Sequence, residues 1–80
     1  MTRQQVFERL NRVFQDVFDN EALAVGDATT AADVPGWDSL MHIRLMGAVE
    51  DEFDMVFDMK DVVSLQNVGE MADIIMAKGH

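Results

Sequence analysis

The sequence predicts an all-α fold with three main helices, one short helix and a long first loop. Three observations point there. Apolar residues recur at steps of three and four in three separate stretches, cap-type residues stand ahead of the later ones, and two glycines with the only proline fall between the first two stretches.

From Arg3 to Asp19 the apolar residues Val6, Phe7, Leu10, Val13, Phe14, Val17 and Phe18 form one face of an amphipathic helix. Asn20 to Trp37 has no period, and Leu23, Val25, Val34 and Trp37 are its expected anchors, so we read an ordered loop. A loop this long inside a small domain points to function. Asp38 is a good N-cap, and Leu40, Ile43, Met46, Val49 and Phe53 then step along a second helix, Ser39 to Phe53. Asp54 to Met59 reads as a connector and Lys60 to Val63 as one short helical turn. Ser64 is the expected N-cap of a last helix carrying Leu65, Val68, Met71, Ala72, Ile75 and Met76 on one side, with Gly79 stopping it. The five phenylalanines, Phe7, Phe14, Phe18, Phe53 and Phe57, are expected in or near the core.

Eighty residues suffice for one domain with a modest core, expected over residues 1–80, and are too few for a catalytic cleft between two subdomains. The apolar fraction of 49% is that of a folded chain. No apolar run approaches the roughly 18 residues of a membrane span. The N-terminal segment has Arg3, Glu8 and Arg9 among its apolar residues, unlike a signal peptide, which points to the cytoplasm. A net charge of −9 repels nucleic acid and anionic lipid and favours partners with basic surfaces. Without cysteine there is no disulfide, thiolate metal site or protein-borne thiol nucleophile, so any thiol chemistry needs a borrowed thiol. No nucleophile–base pair stands at a spacing that suggests an enzyme. Nothing in the sequence asks for more than a monomer.

The most informative stretch is Gly36-Trp37-Asp38-Ser39-Leu40, followed further on by Glu50-Asp51-Glu52-Phe53-Asp54. A serine in the first turn of a helix sits where unpaired N–H groups and the positive end of the helix dipole favour a phosphate. Asp38 can cap that helix and offer its carboxylate to a modifying enzyme or its metal ion. On these residues alone, a plain helix cap and a phosphate attachment point both remain open.

The chain resembles the acyl carrier protein family over nearly its whole length. The shared features are Asp38-Ser39-Leu40 at the start of the second helix, the long loop before it, an acidic run ending that helix, a short third helix and a final helix. The resemblance implies a four-helix acyl-carrier-like bundle. It also implies that Ser39 receives 4′-phosphopantetheine from coenzyme A, with Asp38 as helix cap and part of the motif. The thiol of that arm would hold acyl groups as thioesters for enzymes of fatty acid, polyketide or related biosynthesis. A phosphopantetheinyl transferase and acyl-loading and acyl-processing enzymes with basic docking surfaces follow as partners. Leu40, Met41, Arg44, Glu50, Asp51, Glu52 and Asp54 are the expected contact residues, the acids acting through encounter rate more than affinity.

Two features depart from the family pattern. The position after Asp38-Ser39-Leu40 is commonly acidic in carriers of primary fatty acid synthesis, and here it is Met41, followed by His42 and Arg44. That shifts the expectation to a specialised pathway such as polyketide assembly. Gly47 lies within the second helix, where it costs about 1 kcal/mol relative to alanine; it either makes room for a partner or the arm or is a tolerated surface glycine.

Other readings remain. An aminoacyl or peptidyl carrier of nonribosomal assembly would use the same Ser39, and an unmodified acidic helical adaptor would use Asp38 and Ser39 only as a cap. A calcium loop is excluded by spacing, because the acidic segment lacks Asp-x-Asp-x-Asp-Gly and a glutamate at the twelfth position. His42 and His80 are too far apart and too poorly accompanied for a metal site or catalytic base. Neither is assigned a role.

Overall fold

Helix α1, Arg3–Val17, opens with a capping box in which Thr2 accepts from the Gln5 N–H and the Gln5 side chain accepts from the Thr2 N–H. It buries Val6, Leu10, Val13 and Phe14. Phe18 caps its end and Asp19 turns left-handed at φ 50°, so the helix stops two residues before the Asp19 expected. These are features of a computed structural model that describes residues 1–79; His80 lies outside them.

The second helix, α2, spans Ser39–Phe53, α3 spans Met59–Ser64 and α4 spans Val68–Lys78. A single 3₁₀ turn, Ala31–Asp33, interrupts the long loop. Helix α1 packs on α2 and on α4. The core between them holds Phe14 and Leu10 against Leu45, Met46, Val49 and Phe53 of α2 and Met71, Ala72 and Ile75 of α4. After α2, Met55 and Phe57 point inward while Val56 is 74% exposed, the alternation of an extended chain.

Polar side chains of α1 hold the long loop together with its apolar anchors. Leu23, Val25 and Val34 are buried as expected. Asn11 Oδ1 accepts from the Val25 N–H at 2.7 Å, and Gln15 donates to the Leu23 carbonyl at 3.0 Å. Farther along, loop carbonyls complete the start of α4: the N–H groups of Val68 and Gly69 donate to Thr29 and Asp27 at 2.8 and 3.0 Å. That approach requires glycine, because a Cβ on Gly69 would lie 2.6 Å from the Asp27 carbonyl oxygen. Arg3 adds ion pairs to Asp27 and Asp73 and donates to the Gly69 carbonyl, joining α1, the loop and α4.

Three expectations need correction. The cap of the last helix is Asn67, whose side chain accepts from the Glu70 N–H at 2.8 Å, whereas Ser64 ends α3 and its hydroxyl reaches the Asp61 carbonyl. The loop carbonyls that receive the first N–H groups of α4 fix its start here, so Leu65 stands before the helix in extended backbone. Leu40 and Ile43, expected in the buried stripe of α2, are each 67% exposed, and Leu45 is fully buried in their place. The face of α2 toward α1 runs through Leu45, Met46, Val49 and Phe53, and the first turns of α2 project beyond it. On α4, Met76 is 46% exposed, one position past the buried Ile75.

Gly47 is half-buried, and a Cβ added there would meet nothing within 4 Å. Gly47→Ala is therefore expected to stabilise the protein by about 0.5–1 kcal/mol. A thermal melt should show a rise of roughly 2–8 °C.

Candidate attachment site and groove

Ser39 is placed by a turn, a cap and an aromatic anchor. In Val34-Pro35-Gly36-Trp37 the Trp37 N–H donates to the Val34 carbonyl at 3.2 Å and Gly36 adopts φ 87°. Proline then glycine at the two central positions is the pattern of a type II turn, and only glycine takes that φ without strain. The turn directs Trp37 back onto α1, edge-on to Phe14 at 5.3 Å and 6.2 Å from Phe18. Asp38 follows in extended backbone, its carboxylate accepting from the Met41 N–H at 2.9 Å and its carbonyl from the His42 N–H at 2.8 Å.

Ser39 is thus the first residue of α2, and it is exposed. Among the described residues its N–H and that of Leu40 have no hydrogen-bond partner, so two N–H groups of the α2 start stay free beside the hydroxyl even with Asp38 as cap. A groove of ≈ 640 Å³ begins at Ser39 and runs between α2 and α3. Ile43, Met59, Val62, Val63, Leu65, Met71 and Trp37 make it chiefly apolar. An exposed hydroxyl at the rim of such a groove fits a flexible phosphate-linked arm: the phosphate has helix N–H groups beside it, and apolar cargo has a surface to lie on.

The expected contact residues divide in space. Leu40, Met41 and Arg44 lie in the first turns of α2 beside Ser39, with Arg44 reaching the Met41 sulfur at 4.0 Å. Glu50, Asp51, Glu52 and Asp54 lie at the far end of the same helix. Two of these four acids have internal duties. Glu50 accepts from the Phe57 N–H at 2.7 Å, and Glu52 pairs with Arg9 at 2.7 Å while that guanidinium sits over the Phe53 ring. Asp51 and Asp54 are exposed, and among the described residues their carboxylates have no hydrogen-bonded or ionic partner.

Asp58 and Asp61 also serve the fold, both pairing with Lys78 at 3.1 and 2.8 Å. The Lys78 ammonium hydrogen-bonded to it holds the Asp61 carboxyl below the usual carboxylate range, and the same bond, with that to Asp58, raises Lys78. A lowered carboxyl stabilises the fold above its unfolded-state value and loses that contribution as pH falls through the folded one. Amide protection in α3, measured against the intrinsic exchange rate at each pH, should therefore fall below about pH 4, and Asp61→Asn should flatten that dependence.

His42, given no role from sequence, proves central to the groove. Its Nδ1 accepts from Trp37 Nε1–H at 3.0 Å, its Nε2 lies 3.0 Å from the Val62 carbonyl, and its ring stacks on the indole at 5.9 Å. No local pattern announces this: the signal is a pair five residues apart across a loop–helix junction.

A family model described as the phosphopantetheine attachment site matches residues 8–75. The chain belongs to the acyl carrier protein family. The curated acyl carrier protein of Saccharopolyspora erythraea is 25% identical over 76 residues, covering 95% of this chain and 80% of that one. The solution structure of a holo acyl carrier protein from Geobacter metallireducens superposes with a TM-score of 0.85 at 32% identity, over 91% of this chain and 84% of that one. The all-helical fold, the carrier rather than enzymatic function and a covalently attached phosphopantetheine accord with the family. Like other acyl carrier proteins, it works with a phosphopantetheinyl transferase and partner enzymes. No helix among the described residues is long and apolar enough to cross a membrane.

Proposed function

We propose that the chain is a single carrier domain over residues 1–80 whose Ser39 bears 4′-phosphopantetheine, and that it serves a specialised acyl pathway such as polyketide assembly. One observation carries the attachment site: Ser39 is an exposed hydroxyl at the start of α2, beside two free N–H groups and at the rim of an apolar groove. When attached, the arm supplies the thiol that holds acyl groups as thioesters. The chain itself does the positioning. Asp38 holds the first turn of α2 closed, the Pro35-Gly36 turn and Trp37 fix where that turn begins, and the groove offers its apolar wall beside Ser39. The specialised pathway is supported by Met41, His42 and Arg44, which make the surface next to Ser39 apolar and partly basic. Incubation with coenzyme A, Mg²⁺ and a promiscuous phosphopantetheinyl transferase, read by intact mass, tests the carrier reading. A chain that gains no phosphopantetheinyl mass is an adaptor.

Docking on this reading uses Leu40, Met41 and Arg44 next to the arm and the acids of α2 farther off. Of the latter, Glu50 and Glu52 cannot be altered cleanly, since lysine there would also break the Phe57 contact and the Arg9 pair. Asp51 and Asp54 can. Replacing both with lysine is expected to slow loading by about tenfold at low salt, with added salt slowing the unaltered protein toward the same rate. Rates indifferent to both changes would place docking on the apolar residues Leu40 and Met41.

A further inference from the structure

One side chain joins the loop, α2 and α3 across the groove. Trp37, His42 and Val62 all line it, and His42 bonds to both of the others. The two contacts determine the tautomer. An indole N–H can only donate and a carbonyl only accept, so Nδ1 carries the lone pair and Nε2 the proton. The neutral ring thereby has both nitrogens in use. Helix α3 contributes no fully buried residue: Val62 packs half-buried on the core, and the helix's other polar tie is the pairing of Asp58 and Asp61 with Lys78.

We propose that His42 is the positioning residue of the groove, its neutral ring holding Trp37 and α3 at their present spacing and its protonation releasing the Trp37 side. An imidazolium has N–H at both nitrogens, so the indole N–H would face a second donor where it now meets an acceptor. Histidine is the side chain that changes charge between pH 5 and 8. The charged ring would keep the Val62 carbonyl and the stacked indole, but no carboxylate is bonded to it to replace the lost Nδ1 acceptor contact. Among the described residues, Asp38 is the only other ionisable residue lining the groove, and its carboxylate accepts from the Met41 N–H. Arg44 of α2 reaches the Met41 sulfur, Lys60 of α3 is exposed, and Asp61 of α3 pairs with Lys78. Asp33 of the loop bonds to Thr30, and Glu70 of α4 lies beside the groove residue Met71. Among the described residues, none of these hydrogen-bonds or pairs with the ring. A carrier whose groove loosens on protonation of His42 would hold its cargo less firmly in acid; that consequence rests on the groove being the cargo's place.

The test needs no arm and no cargo. In the unmodified protein, the Trp37 indole N–H and the His42 ring C–H signals are followed by NMR from pH 8 to pH 5, with a His80→Gln variant assigning the histidines. The two signals should move with one midpoint, and exchange of the indole proton relative to that of free indole at the same pH should rise roughly two- to tenfold, the equivalent of one net hydrogen bond. His42→Leu should abolish the indole transition. The proposal is overturned if the indole signal stays constant while His42 titrates, if the midpoints differ, or if the transition persists in His42→Leu. Should that variant not fold, the co-titration in the unaltered ring decides alone. Failure here leaves loading of Ser39 untouched, and failure of loading leaves this titration untouched.

Discussion

Ser39→Ala should reduce phosphopantetheine loading to zero while leaving the melting temperature almost unchanged. The two halves of that expectation have separate causes. The hydroxyl is the atom to be modified, and Ser64, the other serine, stands at the end of α3 with its hydroxyl donating to the Asp61 carbonyl, not at a helix start. The fold does not depend on Ser39, because the cap is Asp38 and the side chain of Ser39 is exposed. Intact mass measures the first half and circular dichroism melting the second. An alanine variant that still gains the phosphopantetheinyl mass would move the site elsewhere. One that loses both loading and stability would mean that the serine supports the start of α2.

The loaded protein should melt at a higher temperature as its acyl chain lengthens. The groove begins at Ser39, and its lining is chiefly apolar. Each methylene removed from water there contributes about 0.8 kcal/mol, so several carbons add a few kcal/mol. In a domain of this size each kcal/mol raises the melting temperature by roughly 4–8 °C. Trp37, the only tryptophan, lines the same groove, so its emission should shift as the chain fills it. Helix α3 is the wall most able to move, since none of its residues is fully buried and only Val62 packs on the core. If the unmodified, holo and long-chain forms melt together with identical Trp37 emission, the cargo stays outside the groove and partner enzymes alone protect it.

What could be read from sequence depended on how local the cause was. The bounds of α2 follow from Asp38 and the three-and-four spacing after it, both within a few turns of chain, and they match Ser39–Phe53. The long loop was legible through its apolar anchors, and Gly79 does end α4. The start of α4 was not legible, because Ser64 and Asn67 are both good caps and the choice is made by the carbonyls of Asp27 and Thr29, about forty residues earlier. Exposure of Leu40 and Ile43 had no local signal either. A periodic stripe shows which residues share a face, but not how far along the helix its neighbour extends. The acidic run hid a similar distinction. Glu52 looks like Asp51 in sequence, yet Arg9 claims it from across the α1–α2 contact.

The most direct test of Ser39 as the attachment point is fragmentation mass spectrometry of the protein after phosphopantetheinyl transfer. The added group should map to Ser39, once per chain, with Ser64 unmodified. A group located on Ser64, or a chain that acquires none under conditions that load another carrier in the same tube, would contradict the assignment.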